Sequence, residues 1–97
     1  MTETQTKQHF RPYIGDTFSF PVQGHEALSF ELVEVNSLNQ QKESLREPFN
    51  LIFKGASKPQ VPQGTYRLDH DTLGSLVLFM VPVGATDGGL LYESLFN

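Results

Sequence analysis

The 97-residue chain contains no cysteine, which removes disulfides, thiolate metal ligands and thiol nucleophiles and leaves the redox compartment open. Tryptophan is absent too, so aromatic bulk has to come from eight Phe and three Tyr. Long apolar runs are missing: the longest, residues 76–81 (LVLFMV), falls far short of the ~20 residues that span a bilayer. The start, MTETQTKQHFRP, lacks the basic opening and apolar stretch of a secretory signal. These features lead us to expect a cytoplasmic protein without membrane insertion. Positive charge is also scarce, with seven Lys and Arg against eleven Asp and Glu. No Lys or Arg follows Arg67, whereas Asp69, Asp71, Asp87 and Glu93 do. Phosphate backbones are gripped by clustered basic side chains, so a nucleic-acid partner is not expected.

What the chain does contain is the material of one small core. A chain of this length hides roughly 60 to 68% of its unfolded surface, enough for a single domain without staples. Hydrophobic residues at 38% and charged residues at 19% fit a globular protein and not a disordered one. Residues 1–12 are polar and read as a flexible arm, which leaves residues 13–97 as the β domain.

Period-two alternation supplies the strands. Phe18 and Phe20 alternate with Thr17 and Ser19, and Pro21, which cannot donate to a ladder, marks an edge or an end. After a turn at residues 23–25, Leu28, Phe30 and Leu32 share one face with Glu34, and Val33 and Val35 fall on the other. That switch predicts a bulge or a change of packing environment. Residues 36–47 (NSLNQQKESLRE) carry too few apolar positions to anchor a helix and read as a long polar hairpin loop. Phe49, Leu51 and Phe53 then alternate with Asn50, Ile52 and Lys54. Pro59, Pro62 and Gly64 interrupt the ladder before Tyr66, Leu68 and His70 line one face of the next strand. The run 76–81 reads as a strand buried on both faces, Pro82 and residues 84–89 as a turn, and residues 90–96 as a last strand with Tyr92, Ser94 and Phe96 together. Six strands without a convincing helix predict an all-β fold, a small six-stranded and mostly antiparallel barrel or sandwich.

Candidates for chemistry are few. Of His9, His25 and His70, the last is flanked by Asp69 and Asp71, which suggests a metal or acid–base cluster. Neighbours on a strand diverge to opposite faces, however, so the favoured reading is a histidine that packs beside Tyr66 or hydrogen-bonds its turn. No G-x-S-x-G elbow occurs and nothing in the sequence gives Ser75 a base, no glycine loop precedes a helix, and Asp16, Glu26, Glu31 and Glu34 form no definite carboxylate pair. No catalytic residue, cofactor or metal is assigned. The polar end of this strand, Gln63, Tyr66, Arg67, Asp69, His70 and Asp71, is the candidate binding surface.

The stretch PFNLIFKG, PQGTYRLDHDTLGSLVLFMVPVG and the ending LLYESLFN resembles a small family of uncharacterised bacterial β domains, domains of unknown function with a core of Pro-Phe-x-Leu-x-Phe-x-Gly, Pro-Gln-Gly-Thr-Tyr-x-Leu-x-His, Leu-Gly and Leu-Phe-x-Val-Pro. The resemblance covers residues 48–97 well and the first half loosely. The departures are Ala56-Ser57, where a proline often follows the glycine, and the polar insertion at residues 40–47. The resemblance implies a small β domain with no catalytic residue to carry over. Members sit near genes for phage-tail-like collar or fibre proteins, which implies an accessory or structural role. The resulting expectation is a non-enzymatic protein-binding module that pairs with itself or a protein partner, in a phage-tail-like or surface assembly, with its terminal strand free to accept another. The alternative is a small-ligand-binding barrel with a pocket among Phe30, Phe53 and Tyr66.

Overall fold

The computed structural model describes residues 7–21, 27–37, 49–57 and 60–96. A single helical turn, α1 (Lys7–Phe10), runs into a 3-10 turn (Arg11–Tyr13). Six strands follow: β1 (Thr17–Phe20), β2 (Leu28–Ser37), β3 (Phe49–Ala56), β4 (Gly64–His70), β5 (Gly74–Thr86) and β6 (Gly89–Phe96). All pairings are antiparallel, and the order β1-β2-β3-β6-β5-β4 closes one sheet into a ring. The expected six antiparallel strands are therefore present as one closed sheet, not as two stacked layers. The expected turn at residues 23–25 and residues 38–47 of the expected polar loop lie outside the described residues, while Asn36 and Ser37, expected in that loop, extend β2 opposite Asn50 and Phe49.

Alternation decides what fills the ring. Phe18, Phe30, Leu32, Leu51, Phe53, Leu68, Leu78, Met80 and Tyr92 are all buried within it. Phe18 meets Phe53 edge-on at 5.4 Å and Phe30 meets Tyr92 at 5.3 Å, the T-shaped geometry that ring quadrupoles prefer. Gly55 makes room for the second pair, because a Cβ there would sit 2.9 Å from the Phe30 ring.

The switch of faces in β2 is a bulge. The β2–β3 register shifts between Leu32 and Glu34, so Val33 absorbs the extra residue and Val35 returns to the interior. This corrects the placement of Glu34 beside Phe30 and Leu32: it is exposed, and Asn36 donates to its Oε1 at 3.1 Å.

Four further expectations change. The run 76–81 is not buried on both faces, for Leu76, Leu78 and Met80 point inward while Val77 and Phe79 are exposed. Pro82 does not begin a turn; β5 continues to Thr86, with a register shift between Pro82 and Gly84 that accommodates the missing donor. The terminal strand is no edge, because β6 lies between β3 and β5 and pairs with both. Nor is the segment from Lys7 to Pro12 a free arm. Phe10 is fully buried, its ring 6.0 Å from Phe49 and 5.5 Å from Phe96, and Phe49 and Phe96 themselves stack at 4.6 Å. A fully buried Phe favours folding by roughly 2 to 3 kcal/mol, so this turn plugs one end of the ring. Residues 1–6 lie outside the described residues.

Candidate functional site

β4 distributes the candidate residues by simple alternation. Tyr66 and His70 point inward with Leu68, Arg67 and Asp69 point outward, and Asp71 is exposed in the β4–β5 turn. Gln63 is exposed at the opposite end of the strand from His70. The strand end is thus split into an inner and an outer group.

The inner group is closed on itself. His70 packs against Phe18 with ring centroids 4.6 Å apart and meets Tyr13 edge-on at 5.0 Å. Its Nδ1 accepts the backbone N–H groups of Thr72 and Leu73, each at 3.0 Å. An acceptor nitrogen carries no proton, so the proton sits on Nε2, which donates to Asp16 Oδ2 at 2.9 Å. The imidazole therefore holds a three-residue turn and ties it to the start of β1. Gly74 follows that turn with φ of +78°, a left-handed backbone that glycine adopts without steric cost. This is the turn-bonding histidine expected from the sequence, with Asp16 as the partner the sequence did not reveal. Their 54-residue separation leaves no local spacing to read. Tyr66 packs on Phe20 at 5.0 Å and donates its hydroxyl to the Pro62 carbonyl.

On the outer side, Arg67 Nε lies 3.3 Å from Asp69 Oδ1, and Ser75 Oγ donates to the same oxygen at 2.8 Å. The hairpin register sets Arg67 opposite Val77 and Thr65 opposite Phe79. A small polar cluster thus borders an apolar strip on β5. Val77 and Phe79 were missed because an unbroken apolar run hides its own alternation. The usable signal was the hairpin: with Asp71 to Leu73 as the turn, Val77 must face the same way as Arg67, and so outward.

Elsewhere on the outer surface, Asn50 Nδ2 donates to Glu93 Oε2 at 2.7 Å across β3 and β6. The buried Asn50 Oδ1 has no hydrogen-bond partner. Tyr92 accepts the Val61 N–H at 2.9 Å and so pins the loop before β4 to the core. No group of three His, Asp or Glu among the described residues is placed to hold a metal ion. Asp69 faces away from His70, which separates the ligands of the metal cluster considered from sequence. His25 lies outside the described residues, and His9 rests edge-on against Phe10 at 5.1 Å.

A family model described as a domain of unknown function (DUF6916) matches residues 5–96. The chain belongs to the DUF6916 family. The match begins ahead of α1, in keeping with a domain that includes the Phe10 plug. No curated protein and no solved structure matches the chain. No helix among the described residues is long and apolar enough to cross a membrane.

Proposed function

We propose that this chain is a non-catalytic protein-interaction module, an accessory piece of a larger assembly of the phage-tail-like or surface kind. The observation that carries the reading is the outer side of the β4–β5 hairpin, where Val77 and Phe79 stand exposed beside the Arg67–Asp69 pair. Exposed apolar area flanked by ordered polar groups is a common composition of a binding surface. The commitment of both His70 nitrogens to its turn and to Asp16 favours a structural role for the residue that had the strongest claim to chemistry.

Light scattering after size exclusion, together with capture of partners from the native cell, tests the proposal. A defined complex or self-associated species is the expected result; a monomer that retains no partner overturns it. The small-ligand reading ranks second. Phe53 packs into the middle of the ring against Phe18, and the recess lined by Leu28, Phe30, Val61 and Tyr92 has a cavity volume of only about 20 Å³. Sites for drug-sized ligands start at about 300 Å³.

A further inference from the structure

The outer side of β5 forms an apolar stripe. Val77 is 68% exposed and Phe79 48%, two residues apart on one side of the strand. Val83, the unpaired residue at the bulge, is exposed too, as is Leu95 of β6. Leu95 lies two residues past Glu93, the last β6 residue paired with β5, at the end of that ladder. Single exposed apolar residues need no explanation, but several on neighbouring strands mark a surface meant to be covered. Among the described residues, β5 from Gly74 to Met80 pairs with β4 alone, since the β5–β6 pairs start at Val81.

Charge indicates what covers the stripe. No basic residue follows Arg67 in the chain, Arg67 is engaged by Asp69, and Lys54 of β3 lies over Gly89, across β6 from the stripe. Asp71 just before β5 and Asp87 just after it are both exposed, so the stripe has an acid at each end, with Glu93 on its flank. A second copy laid along this strand would bring acids against acids, which disfavours self-pairing. We infer that the outer face of β5 docks an extended segment of another protein, with apolar side chains at alternate positions and Lys or Arg toward both ends. This rests on the reading of the chain as an interaction module and adds the surface and the chemistry of the partner. A strand such as β5, Gly74–Thr86, offers a track of roughly 40 Å.

Two short synthetic peptides test this on the full chain, Lys-Val-Thr-Phe-Thr-Val-Lys and the same sequence with Glu at both ends. The basic peptide is expected to shift the amide resonances of Val77, Phe79 and Leu95, and the acidic one to bind at least about tenfold more weakly, a difference of about 1.4 kcal/mol. The double variant Val77→Thr, Phe79→Thr is expected to lose the basic peptide while keeping its melting temperature. Absent shifts at these residues, equal binding of both peptides, or a dimer abolished by the double variant overturns the inference, the dimer by assigning the stripe to a second copy. Capture from the native cell with both baits separates this failure from that of the underlying reading. A partner held equally by wild type and variant overturns the docking face and leaves the interaction module standing. No partner for either counts against both.

Discussion

The inner and outer sides of the β4–β5 hairpin differ in how far their groups are satisfied. Inside, His70 has both nitrogens bonded and its ring packed between Phe18 and Tyr13. Outside, Val77 and Phe79 leave apolar surface in water beside Arg67. Polar residues that draw attention in a sequence are here consumed by structure, while the apolar area left uncovered belongs to residues that look like core. Function by contact with another protein is sought where the fold leaves something uncovered, and on this hairpin that is the outer face.

If the comparison is right, substitutions on the inner side cost stability and those on the outer side do not. The largest effect is expected for Phe10→Ala, which empties a fully buried ring position and removes its contacts with Phe49 and Phe96; urea unfolding should report a loss of about 3 to 5 kcal/mol. A loss under about 1 kcal/mol would restore the free-arm reading of this segment. His70→Ala should follow with about 2 to 3 kcal/mol, since it removes a buried ring and leaves the Thr72 and Leu73 N–H groups without their acceptor. In the wild type, nitrogen NMR should find the His70 proton on Nε2; a proton on Nδ1 contradicts the turn geometry.

Smaller changes sharpen the boundary. Tyr92→Phe keeps the ring but strands the buried Val61 N–H, an expected cost of about 1 to 2 kcal/mol by thermal unfolding. The smallest effect belongs to Phe79→Thr, within about 0.5 kcal/mol of wild type, because half of this side chain is already in water. A large destabilisation there would mean that the stripe is part of the core after all.

Legibility from sequence was uneven for identifiable reasons. The strands of β1, β3 and β4 were readable because apolar and polar residues alternate in them, and alternation is a direct image of which side is buried. β5 was not, because six apolar residues in succession carry no such image and the fold buries only every second one. Pro82 looked like a stop signal, yet a bulge beside it lets the strand continue. Phe10, alone in a polar segment, gave no periodic signal that it would return to close the ring. Of the candidate surface, Arg67 and Asp69 were found outward as alternation requires, whereas their apolar neighbours on β5 emerge only when the hairpin register is laid out.

By itself, the sequence determined the strand-forming pattern, the aromatic character of the core and the excess of acid after Arg67, since each of these is a property of residue types and their spacing. Ring closure, the place of β6 between β3 and β5, the pairing of Asp16 with His70 and the exposure of Val77 and Phe79 were decided by the tertiary structure. These depend on which distant segments meet, and contacts between segments far apart in the chain leave no trace in local periodicity.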